Sequence, residues 1–494
     1  MIAPPLLPLV LWDTPPGLEQ ILQQEGIAHV RARSATPLAL RAGRFVLFDS
    51  RRRHPSKAEE AIGPDQVLLD LEDLRRGEAT DPFRDLLETR SERVIWTIDG
   101  IEVSERVHRV RRAEIRQRLL KRLRDRVLAR GGVWMRLAAY PFPYRSAFGF
   151  RVDLDEPVPE DYHRFARARR SIEKCVTHFV STAAYAESPD VLEDLARLDT
   201  QSHGHHHHVY REAEANRRNL ERAAEILRRH GIVATGFAGP GGRWNVGLDS
   251  VLEDLGYQYA SEFQIGYDDV PFFPWRGDRF STVLQVPIHP ICEGLFFESG
   301  VVDPEIVSSY LVGVIRRKTT EGAPAFLYGH PERRLGRFPE IVTALAQAVE
   351  NREWLWLVTM TEFVRWWRWR AELTWSVIAR DEGVVELLFD DWEDRHPLAI
   401  ELVQGDHVAT VPITEARLPL RTQELVFERR GPRFDPPHLR PARHGLDLRT
   451  MIREALDWER VTPVDDLQVA TLTQRVKRRL RRFRDRVPGA GGVP

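Results

Sequence analysis

The sequence predicts an α/β protein in several parts: a small α/β unit over residues 1–135, a larger α/β region over 136–370, a β-sandwich-like region over 371–460 and a basic tail over 461–494. Three observations lead there. Apolar runs of strand length alternate with amphipathic runs of helix length through the first 370 residues, the pattern of a parallel sheet. After 371 the helical runs stop, and strand-like runs recur about every ten residues with turn signals between them. The 494 residues also exceed one ordinary domain, taken at roughly 150 residues each.

Composition narrows the function classes. The net charge of −1 gives no global field to attract nucleic acid or a membrane. Two cysteines, Cys175 and Cys292, are too few for a disulfide scaffold and fit a reducing compartment. The opening MIAPPLLPLVLWD has no basic n-region and is broken by prolines, so it reads poorly as a signal peptide. No run approaches the roughly 18 apolar residues of a membrane span. A cytoplasmic location is expected.

In the first unit, PLVLWD at 8–13 reads as a buried strand and LEQILQQEG at 18–26 as a helix closed by glycine. IAHVRA, GRFVLFD, QVLLDLE and RVIWTID at 93–99 read as further strands. The unit contains no phosphate loop or nucleophile elbow. A long helix follows at 111–132, with Ile115, Leu119, Leu120, Leu123 and Val127 on one face and arginines crowding the other. That arginine face is expected to be solvated. At the end of the second region, Trp366, Trp367 and Trp369 are expected to pack a helix. In the tail, RVKRRLRRFRDRV at 475–487 places Val476, Leu480, Phe483 and Val487 on one helical face. This is either an interfacial helix on anionic lipid or a solvated terminus. No aromatic interleaving supports RNA, and no nucleic-acid partner is expected.

The chemistry concentrates in QSHGHHHHVY at 201–210, where five of ten residues are histidine. A purification tag is an uninterrupted run at a terminus; this cluster is mid-chain and broken by Gly204. Metal ligands must reach from one side of a segment, and residues four apart on a helix or tight turn do so. His203 and His207 are the one pair four apart, while His203/His206 and His205/His208 are three apart. Two imidazoles make half a site, so a carboxylate or third histidine is needed. FRVDLDE at 150–156 is strand-like, and Asp153 and Asp155, two apart, point to one face. Two carboxylates there are costly unless a cation neutralises them. One of them then binds the metal while the other accepts a proton.

With these residues in view, the sequence resembles the polysaccharide deacetylases of the NodB-homology type, over about 147–369. The resemblance implies a distorted (β/α) barrel that removes N-acetyl groups with a metal held by Asp-His-His. On the aspartate motif it implies Asp153 as base and Asp155 as ligand, with Leu154 between a pair that is usually adjacent. On SHGHHH it implies His203 and His207 as ligands. The third motif usually carries Arg-x-Pro, but GFAGPGGRWN has Ala238 at the arginine position. That arginine orients the catalytic aspartate in the family, and Arg243 is the candidate substitute. AFLYGHPERR offers His330 as general acid, with His289 in VPIHPIC as a second candidate.

The resemblance implies zinc, with cobalt, nickel, manganese or iron as alternatives. It also implies a carbohydrate partner: an amino-sugar glycan or glycan intermediate, with the basic tail a possible contact to anionic membrane. Two other readings stay open. The same triad hydrolyses other non-peptide amides, such as formamides or ureides. A degenerate glycan-binding protein is the other, and Ala238 is its support.

Overall fold

The structure is a computed structural model that describes residues 4–32, 40, 42–301, 303–380, 383–390, 392 and 397–430, with the backbone of 441–444. The basic tail lies outside the described residues.

Strands β1 (Leu9–Trp12), β2 (His29–Ala32), β3 (Phe45–Phe48) and β4 (Val67–Asp70) form a wholly parallel sheet in the order β2-β1-β3-β4. The continuous apolar runs of β1 and β3 are explained by burial on both faces. Leu9, Leu11, Phe45 and Leu47 enter the main core, while Val10, Trp12, Val46 and Phe48 build a separate one. The helix Pro16–Glu25 starts on proline and closes on Gly26 at φ 75°.

The run RVIWTID does form a strand, but not in that sheet. Strand β5 (Ser91–Ile98) pairs antiparallel with β6 (Ile101–His108), and Pro441–His444 adds on the other side. The connection is Asp99-Gly100, with φ 48° and 83°. Two successive positive φ values make the tight turn that an Asp-Gly pair favours, and a two-residue loop requires antiparallel partners.

The long helix spans Arg112–Leu128, and its apolar face packs as expected. The arginine face is solvated as expected: Arg118 and Lys121 are exposed, and Arg122 and Arg126 are half-buried. Arg112 and Arg116, at helical spacing with Leu119, Leu120 and Leu123, instead lie on the apolar face and are buried. Arg116 Nη1 lies 3.2 Å from Glu25 Oε2, and its Nε lies 3.2 Å from Asp269 Oδ1. Arg112 donates to Gln20 Oε1 at 2.6 Å and covers the Phe272 ring. These arginines are enclosed because the helix is wedged between Pro16–Glu25 and the loop carrying Asp269. Glu25 also pairs with Arg136, whose Nε reaches Glu401 Oε2 at 2.8 Å. The buried charges thus run without a break from the first unit through the barrel loop to the C-terminal strands.

Strand β7 (Met135–Leu137) joins those C-terminal strands through antiparallel pairing with Ala399–Gln404. The chain then builds an eight-stranded parallel sheet from β8 (Ser146–Leu154), β9 (Val176–Val180), β10 (Thr200–Ser202), β11 (Gly236–Phe237), β12 (Tyr259–Ala260), β13 (Leu284–Gln285), β14 (Ala325–Gly329) and β15 (Leu355–Leu357). The order is β13-β12-β11-β10-β9-β8-β14, with β15 also on β8. The sheet curls until His289 N donates to Phe326 O at 2.9 Å, bringing the chain after β13 against β14. This is a distorted (β/α) barrel. Every residue of β8 is buried. Trp366 and Trp367 pack inside the final helix Met360–Glu372, with Trp366 Nε1 donating to Ala139 O.

The remaining strands form two antiparallel sheets. β16 (Trp375–Ala379), β17 (Val384–Phe389) and β20 (Arg417–Arg421) make one, in the order β16-β17-β20. β18 (Ala399–Gln404), β19 (His407–Pro412) and β21 (Glu428–Arg429) make the other with β7, in the order β21-β19-β18-β7. No helix among the described residues is long and apolar enough to cross a membrane.

The buried charge network makes a testable demand. Arg116→Met keeps the helix and most of the side-chain volume, but takes one arginine partner from each of Glu25 and Asp269, leaving them Arg136 and Arg112. Stability in urea unfolding should fall by about 3–5 kcal/mol. Lys121→Ala, which removes an exposed pair with Asp125 on the same helix, should cost no more than ~1 kcal/mol. Equal effects of the two would contradict the buried network.

Candidate metal centre

All strands of a parallel sheet end at one rim, and side chains just past those ends converge there. In this barrel the rim collects Asp153 and Asp155 from β8, His203 after β10, Ala238 after β11, Glu262 after β12 and His330 after β14.

Asp155, His203 and His207 come together as their spacing and alternation suggested. One ligand atom from each lies within 4.8 Å of the others. Asp155 Oδ1 stands 3.4 Å from His203 Nε2 and 3.2 Å from His207 Nε2. That oxygen is buried without a hydrogen-bond partner. His203 Nδ1 lies 2.6 Å from the carbonyl of Ala238. A carbonyl only accepts, so Nδ1 holds the proton and Nε2 is the atom left to meet Asp155 or a cation. Two imidazole nitrogens thus face a carboxylate oxygen across a short gap. A divalent cation satisfies all three atoms, and two imidazoles with one carboxylate suit a first-row transition ion. The group fits. Burial works against the charge of Asp155, but the His207 and His203 imidazoles hold its carboxyl well below the usual carboxylate range.

The segment holding His203 and His207 is a non-helical loop rather than the helical turn their spacing suggested. Gly204 turns it at φ 82°, and a Cβ there would fall 2.8 Å from Asn219 Nδ2. Asn219, on the helix Ala213–Arg229, clamps the loop: its Oδ1 accepts from His206 N, and its Nδ2 donates to the carbonyls of His206 and His208. His205 Nδ1 lies 3.0 Å from Thr182 Oγ1, and the His208 ring packs edge-on against Tyr210. His205, His206 and His208 are not in the ligand group.

Asp153 is held by a residue the sequence reasoning missed. Arg151 grips both carboxylate oxygens at 2.6 Å, through Nε and Nη2, and its Nη1 donates to Ser261 O. Both side chains are buried. Burial opposes the carboxylate charge, yet Arg151, with His203 at 3.9 Å, keeps the Asp153 pKa lowered. This corrects the expectation for Arg243: the guanidinium at Asp153 comes from the same strand, two residues earlier. Ala238 is fully enclosed and contributes its carbonyl instead.

His330 Nε2 lies 3.9 Å from Asp155 Oδ2. Glu293 Oε1 takes the His330 backbone N–H at 2.7 Å and lies 2.9 Å from Nδ1. Burial and Arg334 oppose a charged ring, but Cys292 and Glu293 beside it hold the His330 pKa well above its ordinary value. His289, the second candidate, is not at this rim position. Its Nδ1 faces Asp268 at 3.0 Å and its Nε2 faces Tyr310 Oη at 2.8 Å, so a buried structural network occupies both nitrogens. The arrangement can hold a cation, a proton acceptor on one side of it and a proton donor on the other.

Glu262 ties the neighbouring strand ends together, accepting the Gly239 N–H at 3.1 Å beside the Ala238 carbonyl. Burial, with Asp249 nearby, pushes its carboxyl up to about 8 from an ordinary 4.5.

No family model matches the chain, and no curated protein matches it. Among solved structures, one described as a polysaccharide deacetylase from Mycobacterium smegmatis aligns with a TM-score of 0.41 and 17% identity, over 49% of this chain and 96% of that one. Another described so, from Pseudomonas aeruginosa, aligns with a TM-score of 0.39 and 18% identity, over 47% and 94%. A family 4 carbohydrate esterase from Streptomyces lividans, in complex with acetate, aligns with a TM-score of 0.31 and 12% identity, over 42% and 90%.

The raised Glu262 pKa has a pH consequence. The folded protein keeps this proton up to about pH 8, while the unfolded chain releases it near 4.5. Unfolding therefore releases a proton between those values, and stability falls as pH rises through that window. Glu262→Gln removes the dependence. The melting temperature of the variant minus that of the wild type should increase from pH 5 to pH 9. A pH-independent difference would mean that Glu262 is ionised in the folded state.

Proposed function

We propose that this chain is a metal-dependent hydrolase that removes N-acetyl groups from an amino-sugar glycan or glycan intermediate. The observation that carries the reading is the donor set of Asp155, His203 and His207, flanked by an ionised Asp153 and a protonated His330. The motif order of the NodB-type deacetylases supports the same assignment.

Asp155 and the two Nε2 atoms would hold the ion, zinc being the first choice and cobalt, nickel, manganese and iron the alternatives. A divalent cation held there supplies Lewis-acid polarisation of the amide carbonyl and makes water a stronger acid. Asp153 takes the proton of the attacking water. Arg151 orients it, since the two-point contact leaves the carboxylate no rotation. His330 delivers a proton to the departing nitrogen, held in place by Glu293. The products are acetate and a free amine.

The Arg151–Asp153 contact also bears on the competing idea of a degenerate glycan binder. Its support was Ala238 in place of an arginine. A guanidinium at the aspartate, from another position, removes that support. Cleavage of other small amides is separated by substrate screening.

The decisive experiment measures bound metal and acetate release from N-acetylglucosamine oligomers. Asp155→Asn, His203→Ala and His207→Ala should lose the ion of this triad and the acetate release with it. Asp153→Asn and His330→Ala should keep the metal and lose about 10²–10⁴-fold in kcat. Arg151→Lys keeps the charge without the fork, so kcat should fall while metal content holds. Activity persisting in the His203→Ala/His207→Ala double variant would refute the site.

A further inference from the structure

Next to the triad lies a second group of potential ligands with different chemistry. Cys292 Sγ, a carboxylate oxygen of Glu293 and a ring nitrogen of His330 lie within 4.8 Å of one another. Cys292 and Glu293 are adjacent at the start of the helix Glu293–Glu298, and His330 follows β14. Glu293 is fully buried, and its Oε2 has no hydrogen-bond partner. The backbone makes room for this carboxylate, since a Cβ on Gly329 would fall 2.6 Å from Oε2.

We propose that Cys292, Glu293 and His330 form a second, inhibitory site for a thiophilic divalent cation such as Zn2+. Thiolate, imidazole and carboxylate are the donors zinc accepts, and two anionic ligands balance its charge. The thiol releases its proton to solvent as the ion binds, so binding strengthens as pH rises. The His330 side chain is 13% exposed, so its ring is not sealed from solvent.

Arg334 is the resident countercharge at this position. Its Nη1 lies 2.7 Å from His330 Nδ1, the nitrogen that also faces Glu293. The ring serves one partner at a time: charged, it donates to Glu293; neutral, it accepts from Arg334. The Arg334 side chain is 27% exposed and its Nη2 stands 3.6 Å from Glu298 Oε1, so it has an outward partner when an ion takes its place. An ion on Nδ1 breaks the Glu293–His330 contact and so disables the proton donor. That last effect rests on the deacetylase reading; the binding site does not.

Cobalt separates the two sites, because only this one contains sulfur. Saturating the full chain with Co2+ should give two ions per chain and a near-ultraviolet thiolate-to-cobalt absorption. The absorption should survive in Asp155→Asn with one ion bound, and in Cys175→Ser, the other cysteine of the chain. It should vanish in Cys292→Ser. Excess Zn2+ should suppress acetate release by the wild type, and Cys292→Ser should need at least ~10-fold more zinc for the same suppression. No thiolate band in the wild type at saturation, or a band that persists in Cys292→Ser, overturns the site. A normal band without zinc inhibition overturns the inhibitory role alone. An inactive protein that still shows the band overturns the deacetylase reading and leaves the site standing.

Discussion

The pairing of Arg151 with Asp153 inside β8 is the constraint on which the rest of the site depends. Two charges are taken out of water there, and each is tolerable only because the other is fixed beside it. The two-point contact sets the carboxylate in one plane, and the third guanidinium arm anchors it to Ser261 at the end of β12. With Asp153 neutralised from behind, a second carboxylate at Asp155 can sit one strand step further on. Without Arg151 the rim would hold two like charges, and one would take up a proton.

Parallel topology does the remaining assembly. Each strand end supplies one group, and backbone atoms orient what side chains do not. The Ala238 carbonyl selects the His203 tautomer, so a position that looked defective in sequence has a structural task. The guanidinium at Asp153 comes from β8, three strands along the sheet from the position of Ala238 after β11.

Some of this was legible in the chain and some was not, for physical reasons. His203, His207 and Asp155 could be read because ligand spacing and strand alternation are local properties. Arg151 carried the same signal, being two residues before Asp153 on a strand of period two. Alternation alone does not single it out, since an arginine two residues from an aspartate on a strand is equally well explained by a solvated strand end. The Asp99-Gly100 pair announced an antiparallel hairpin inside what looked like a parallel unit. Asn219 and Glu293 gave no sign, since each acts on a residue 13 or more positions away through contacts that only the fold creates. The helix Arg112–Leu128 hides two charges for a related reason. Arg112 and Arg116 fall on its apolar face, and periodicity cannot say that carboxylates from elsewhere will meet them there.

Those carboxylates connect the outlying parts of the chain to the chemistry. Arg116 holds Glu25 of the first unit and Asp269 of the segment between β12 and β13. The same segment begins at Glu262 and Phe263, and the Phe263 carbonyl accepts the His108 N–H from the β5–β6 hairpin. Glu262 in turn holds Gly239, beside the carbonyl that fixes His203. Hydrogen bonds, ion pairs and the intervening backbone thus link the first unit to the strand end beside His203. The N-terminal unit carries no chemistry of its own that its sequence reveals. Its contacts reach the β12–β13 segment, and through Glu262 and Gly239 that segment meets the carbonyl that orients the His203 imidazole.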